Sequence, residues 1–480
     1  MATGMRSFGH VGACPVDTIL EMQSVTTSAE TAATRESTPA PVKRAHPALW
    51  VPTLYFAEGL PMITVSVVAA LMYKNLGVSN TDIALYTGSL YLPWSIKFAW
   101  APITEMFKTK RHWVIGTELA MAATLACVAM ALPLPNFMTV TLAFFWVTGF
   151  LSATQDIAAD GSYMAVTTAK EQSAWVGVQG FCWNAGRIVA SGFLVTLTGY
   201  LFDKKLGGAT GAAATQAAWQ YSWMVVMGVL AALMALLGTY HLKMLPADQR
   251  SFETPKGVVE GFKEFLATLT SFFQKPGIWL GLAFILLYRS GEGFIEKIGP
   301  LFMLDPVAKG GLGLSNQVLG NINGSFGTLG FMFGALLGGM FAAKLTLKRS
   351  IVYLALAMNV PHVCYLILAS SHEPSHAVVS LLVTIEKFGY GFGSVAHILY
   401  MMQQIAPGKY RTAHYAFATS LMGLGLMIPS MMSGAIQERL GYQHFFIFCL
   451  VASVPSVIFA GLAPFHVRDD GEPAPAPVGH

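Results

Sequence analysis

The sequence predicts an all-α polytopic membrane protein with twelve transmembrane helices in two six-helix bundles and both termini in the cytoplasm. Three observations carry that reading: too little charge for a water-soluble surface, a train of apolar windows of membrane-spanning length, and a half-length repeat. Of 480 residues, 54% are hydrophobic and 11% are Asp, Glu, Lys or Arg, against roughly 25% charged in an ordinary soluble chain. A soluble fold of this length needs a charged surface that this composition cannot supply. That excludes a soluble enzyme, a nucleic-acid-binding protein and a disordered chain. The runs also speak against a membrane β-barrel, whose strands alternate apolar with polar residues as these do not. The net charge of +4 fits basic cytoplasmic loops, and no basic patch is interleaved with aromatics as nucleic-acid binding requires. The five cysteines (Cys14, Cys127, Cys182, Cys364 and Cys449) are odd in number and show no CxxC spacing. They read as small buried hydrophobes, not as a disulfide framework or a metal site. Neither a metal nor a cofactor is expected.

Residues 1–45 are rich in Ala, Ser and Thr and hold no signal-peptide core; they read as a disordered cytoplasmic tail in which Met22 is a possible later initiator. A Pro/Ala-rich tail follows at 468–480. Between them, apolar windows recur at 48–73, 82–101, 113–133, 137–163, 172–202 and 219–242, then at 277–303, 316–343, 350–370, 376–405, 411–436 and 443–465. Each is long enough for a hydrocarbon core of about 30 Å. The one long polar gap, 243–275, reads as a cytoplasmic linker between bundles at 46–242 and 276–467. With the N-terminus inside, seventeen Lys and Arg fall in cytoplasmic segments, against Lys74, Lys204, Lys205, Lys309 and Arg439 on the far side. That asymmetry sets the orientation. The repeat supports the division: Leu76-Gly77-Val78-Ser79-Asn80 recurs as Leu312-Gly313-Leu314-Ser315-Asn316, and Glu58-Gly59 as Glu292-Gly293. Two parallel six-helix repeats are the architecture of the major facilitator superfamily, which this pattern resembles.

An ionisable side chain within the bilayer costs a few kcal/mol on insertion scales, so each needs a reason. Glu58 lies about ten residues into the first window, which at ~1.5 Å per residue places it near the midplane. It reads as a proton carrier or substrate contact, or else as a structural hydrogen bond to a neighbouring helix. Asp156 and Asp160 are four residues apart in the fourth window and share a helix face. Two carboxylates this close repel in a low dielectric, which favours proton uptake; pairing with a Lys or Arg as a latch is the competing reading. The fifth window carries Trp183, Asn184 and Arg187, the seventh Arg289, Glu292, Glu296 and Lys297, and the tenth Glu386, Lys387 and His397. Some of these neutralise one another. Together they give both halves acids and bases at comparable depth, which suits an aqueous cavity accepting a polar anionic substrate. Tyr91, Trp94, Tyr163 and Trp183 could stack on a sugar, or simply pack. The glycines at 324, 327, 330, 334 and 338 read as a close helix crossing. The Gly389–Gly393 run has no preceding strand, so it is not a nucleotide loop, and with no P-loop present ATP-driven transport is unsupported.

Three motifs carry a more specific resemblance. They are Pro52-Thr53-Leu54-Tyr55-Phe56-Ala57-Glu58-Gly59-Leu60-Pro61, Leu90-Tyr91-Leu92-Pro93-Trp94 with Lys97 and Trp100-Ala101-Pro102, and Ala153-Thr154-Gln155-Asp156-Ile157-Ala158-Ala159-Asp160-Gly161. The chain is similar in these to the AmpG-type muropeptide permeases of the major facilitator superfamily, relatives of the acetyl-CoA transporters. The resemblance implies a monomeric symporter of the bacterial inner membrane that imports GlcNAc-anhydromuramyl peptides with protons. Such import serves cell-wall recycling and feeds β-lactamase induction. It places the family's acidic motifs on Glu58 and on Gln155, Asp156 and Asp160. The substrate's lactyl or peptide carboxylate would pair with Arg187, Arg289 or Lys97. The superfamily's gating loop falls on Glu105, Lys110 and Arg111, with an acid retained and the usual glycine missing. The alternatives are a paralogue carrying another anionic solute, such as a siderophore or an acyl-CoA-like compound, and an intramembrane enzyme or receptor. The last is disfavoured because no soluble catalytic loop or metal-ligand cluster is present.

Overall fold

The computed structural model describes residues 45–101, 104, 108–246, 258–408 and 410–466. Both predicted tails and the middle of the linker lie outside the described residues. Every regular element among the described residues is helical. In chain order these are α1 (Pro47–Asn75), α2 (residues 80–99), α3 (Lys110–Ala131), α4 (Phe137–Val166), α5 (residues 169–206) and α6 (Ala212–Met244). A separate linker helix, Val258–Phe273, precedes α7 (Ile278–Leu304), α8 (Asn316–Leu345), α9 (Leu347–Ser370) and α10 (His376–Ile405). The last stretch comprises α11 (residues 411–440) and α12 (residues 442–462).

Ten helices among the described residues are long and apolar enough to cross a membrane, where the windows predict twelve. The difference lies in two places. α2 is broken: its longest piece is Asn80–Ser89, and Pro93 and a 3-10 turn at Lys97–Ala99 divide the rest. The final stretch, Ala413–Leu462, counts as one run but is two helices joined at a kink. Its helical geometry fails at Gly441, with φ 71° and ψ 168°, a conformation glycine adopts without a Cβ penalty. α11 and α12 are the rods on either side.

The repeated loop motif has a local reason. Gly77 and Gly313 both take positive φ (84° and 62°). The serine two residues on, Ser79 or Ser315, caps the next helix by accepting from the Asp82 or Val318 backbone N–H. The motif is a turn followed by an N-cap, and it delivers Asn80 and Asn316 to the same position of α2 and α8.

Side-chain placement is inverted relative to a soluble protein. Phe181, Phe193, Leu236, Phe333, Leu336, Tyr353 and Leu381 are each at least 60% exposed, while Glu118, His241, Glu292, His362, Glu386 and His397 have no exposure at all. Such an apolar surface is stable against hydrocarbon and would aggregate in water. Lipid removes the hydrophobic drive for helices to associate, so close approach at small residues holds them. α1 meets α5 at Gly59, where a Cβ would lie 2.4 Å from the Trp183 carbonyl oxygen. The predicted glycine stripe of α8 serves two neighbours. Gly330, Gly334 and Gly338 face Thr384, Phe388 and Phe392 of α10, whereas Gly324 faces α5. A Cβ on Gly324 would stand 2.2 Å from the Ser191 carbonyl oxygen, where the π-helical turns Ile188–Phe193 and Gly320–Phe326 meet. Gly324→Leu is therefore expected to destabilise the protein by about 1–3 kcal/mol, the range for overpacking. Gly339→Ala, with nothing within 4 Å of its added Cβ, should leave thermal unfolding of the detergent-purified protein unchanged.

Candidate functional site

The first-half acids come together on α1, α2 and α4. The Lys97 ammonium bonds the Asp156 carboxylate, and the Tyr55 hydroxyl donates to Asp160 Oδ1 at 3.0 Å. Glu58 is 8% exposed; the charged groups acting on it are Asp156, Asp160 and Lys97, and its Oε2 has no hydrogen-bond partner. Three carboxylates thus face one ammonium. The cluster spans a gradient of exposure, since Asp160 is exposed, Asp156 half-buried and Glu58 buried. The break in α2 contributes here, because the 3-10 turn that interrupts it carries Lys97.

Gln155 occupies the other side of α4. Its Nε2 donates to Glu118 Oε1 at 2.9 Å, and Glu118 also meets His241 Nδ1 at 2.8 Å. His241 Nε2 continues to Thr53 Oγ1 at 3.0 Å. This chain, fully buried at Gln155, Glu118 and His241 and half-buried at Thr53, ties α4, α3, α6 and α1. Sequence reading missed Glu118 and His241. The available signal was a lone acid in the third window and a lone histidine in the sixth, each without a partner nearby in sequence.

In the second half, Glu292 on α7 is held between Lys387 Nζ (3.2 Å) and His362 Nε2 (3.2 Å), and Lys387 also lies 3.2 Å from Glu386 Oε2. His362 Nδ1 reaches Ser453 Oγ at 3.0 Å, so α7, α9, α10 and α12 are joined. Sequence reading did not single out His362. Glu292, His362 and Glu386 present ligand atoms within 4.8 Å of one another, but the Lys387 ammonium stands between the two carboxylates. That donor set suits an ion-pair network better than a divalent cation. Arg289 and Lys387 lie over the Tyr390 ring at 5.1 and 5.5 Å, and Arg187 over Phe331 at 5.8 Å. Tyr91, packed on Trp94 at 5.9 Å, stands where charges from both halves act on it: Arg289, Glu296, Arg187 and Lys97.

The other predicted residues are more dispersed. Trp183 is half-buried against α1, and the Asn184 side chain donates to the Gly180 carbonyl at 2.8 Å. His397 is enclosed by Phe284 and Tyr288. In the predicted gating loop, the Lys110 side chain lies against Gly161, the Arg111 guanidinium bonds the Leu242 carbonyl, and Glu105 falls outside the described residues. At the end that the Lys/Arg count assigns to the far side, hydrogen bonds cross between the halves. Asp305 accepts from Lys74 at 2.6 Å, from Asn80 at 3.2 Å and from the Tyr442 hydroxyl. Asn80 also reaches Gln437 at 2.7 Å. Asn316, its repeat counterpart, donates to Asn75 and to Thr198, both at 2.7 Å. Both asparagines of the repeat thus bond across the halves at this end.

Removing one member of a buried pair strands the other, at a cost of about 3–5 kcal/mol. His241→Ala should therefore lower the thermal midpoint of the purified protein markedly. The double variant Glu118→Gln/His241→Gln, which leaves no unpaired charge, should recover most of that loss.

The sequence profile of the Major Facilitator Superfamily matches residues 53–428. An anhydromuropeptide permease of Escherichia coli is 24% identical over 413 residues, covering 84% of this chain and 77% of that protein. A transporter of Rickettsia bellii named as AmpG-type is 22% identical over 404 residues, covering 80% and 91%. Among solved structures, a bacterial homologue of the human lysosomal transporter Spinster, inward-facing and unoccupied, superposes with TM-score 0.67 at 15% identity over 86% of this chain and 96% of its own. A D-xylose–proton symporter gives 0.61 at 14% identity, over 86% and 95%. The structures share the fold. The relatives in sequence are permeases and transporters, so the function is transport and not catalysis, and the resemblance carried by the motifs around Glu58 and Asp156 extends across most of the chain. With the profile running from α1 into α11 and AmpG-type permeases aligned alongside it, this chain belongs to the Major Facilitator Superfamily, as a multi-pass transporter of the bacterial inner membrane.

Proposed function

We propose that this transporter imports anhydromuropeptides together with protons, both termini facing the cytoplasm. The observation that carries the reading is the cluster of acid in the first half, where Glu58, Asp156 and Asp160 gather around the Lys97 ammonium. Surplus negative charge in a low dielectric is relieved by taking up a proton or by rearranging around Lys97. The acids are graded in depth. At ~1.5 Å per residue, Asp160 is about 9 Å and Asp156 about 15 Å from the cytoplasmic end of α4, and Glu58 about 16 Å from that of α1. A proton bound at Glu58 or Asp156 loosens the hold on Lys97, and Asp160, tethered by Tyr55, is the outlet towards the cytoplasm. Substrate recognition draws on other groups. Arg187 and Arg289 are stacked on aromatic rings and make no ion pair within 4 Å among the described residues, so each has a charge to offer a lactyl or peptide carboxylate. Tyr91, which lines a small cavity between the halves, offers an apolar face to a sugar ring. The names of the relatives supply the cargo; the geometry supports an anionic, sugar-bearing one. Rocking of the halves about this centre, with the Asp305 network closing the far side, completes the cycle.

The test is uptake of labelled GlcNAc-anhydromuramyl peptide into right-side-out vesicles with an imposed pH gradient. Wild type should accumulate it. Asp156→Asn should lower gradient-driven accumulation about tenfold, within the ~1–3 kcal/mol typical of coupling between sites, while exchange without a gradient persists. Undiminished accumulation by Asp156→Asn would remove Asp156 from coupling. No accumulation by wild type would reject the muropeptide cargo and favour another anionic solute.

A further inference from the structure

Lys297 on α7 is 8% exposed. Its ammonium donates to the Ser66 carbonyl at 3.1 Å and to Thr87 Oγ1 at 2.9 Å, and no carboxylate oxygen lies within 4 Å of it among the described residues. The preceding residue, Glu296, acts on it from further away. The other intramembrane cations, Lys97 and Lys387, rest against carboxylates or, like Arg289, over a ring. Burying an ammonium against neutral acceptors alone costs several kcal/mol. A counter-ion met in another state of the protein would offset that cost.

The surroundings indicate which state. A small cavity beside Lys297 is lined by Ser66 of α1, Thr87 and Tyr91 of α2, Glu296 of α7 and Ser430 of α11, so its walls come from both halves. Lys297 is seven residues from the far-side end of α7, roughly 10 Å at the rise of an α-helix, one layer inside the Asp305 network. The two bonds that hold it run from α7 of the second half to α1 and α2 of the first. Opening of the far side by separation of those helices would break both bonds. The ammonium is then left facing the passage just inside the entrance.

We propose that Lys297 is the residue that first captures the carboxylate of an anionic substrate when the far side is open, and that Ser66 and Thr87 hold it between loadings. Closure around the substrate returns the ammonium to these neutral acceptors and passes the carboxylate inward to Arg289 and Arg187. Lys297 thus adds an entry subsite to the site described above. The proposal rests on the reading that the cargo is an anion. Glu296 is the competing partner, since it lines the same cavity and its Oε2 is unpartnered.

Two measurements on the full-length transporter decide it. In a background lacking the native cysteines, Lys297→Cys is exposed in right-side-out vesicles to a membrane-impermeant cationic thiol reagent, with and without Asp305→Asn. Labelling should be slow with the far-side network intact and about tenfold faster once it is weakened, as a shift of ~1.4 kcal/mol in the opening equilibrium gives. Labelling that does not respond to Asp305→Asn overturns the proposal whatever the cargo. Uptake is then compared for anhydromuropeptide and for its methyl-esterified, uncharged form. Lys297→Gln should raise KM about tenfold for the acid alone, in line with loss of a charged partner, and Lys297→Arg should restore it. An equal effect on both probes, the result expected if Lys297 only pairs with Glu296 or only closes the far side, overturns the proposal. If wild type takes up neither probe, the cargo reading has failed, and the labelling still decides whether Lys297 enters the passage.

Discussion

Hydrocarbon cannot solvate charge, so most of the acids and bases buried in this bundle meet partners on other helices. That requirement organises the molecule. In water the apolar face of a helix drives association, whereas in lipid tails are as apolar as leucine and the drive falls to close packing and polar contacts. Both kinds are visible and they divide the labour. Glycine contacts at Gly59, Gly324 and Gly334 bring pairs of helices to near-backbone distance. Buried networks then select which helices form a set: Gln155, Glu118, His241 and Thr53 join four in the first half, and Glu292, His362, Lys387 and Ser453 join four in the second.

The halves share a plan and differ in charge. At the far side they contribute equivalent asparagines, Asn80 and Asn316, delivered by the same turn and cap. Deeper in, they diverge. The first half concentrates three acids around one lysine, an arrangement suited to gaining and losing a proton. The second sets Glu292 and Glu386 against Lys387 and adds His362, an ion-pair network joining four helices. Lys297 belongs to neither network, and its partners are neutral groups of the opposite half.

Much of this was legible before folding, for identifiable reasons. Membrane character follows from composition, and most helices from windows that must be some twenty residues long. The repeat exposed its turn because Gly77 and Gly313 need a backbone that other residues avoid. Glu58, Asp156 and Asp160 stood out because a charge in an apolar window is conspicuous, and two of them are one turn apart. Gln155 was singled out alongside Asp156, yet it lies on another side of α4 and belongs to a separate network. A helix position one residue away points about 100° elsewhere, and sequence proximity hides that. The break in α2 was also invisible, because hydropathy reads apolar length and not backbone geometry.

The sequence by itself determined the solvent in which this protein lives, its helical class, and many of the charges that have to be explained, though not Glu118, His241, His362 or Asp305. Those are properties of composition and short-range spacing. Only the tertiary structure decided which charges meet. Glu118 and His241 are 123 positions apart, Lys74 and Asp305 still further, and Lys297 finds two acceptors more than two hundred residues away. Partnership at that range depends on how helices cross, set by packing along their whole lengths, and no local pattern encodes it.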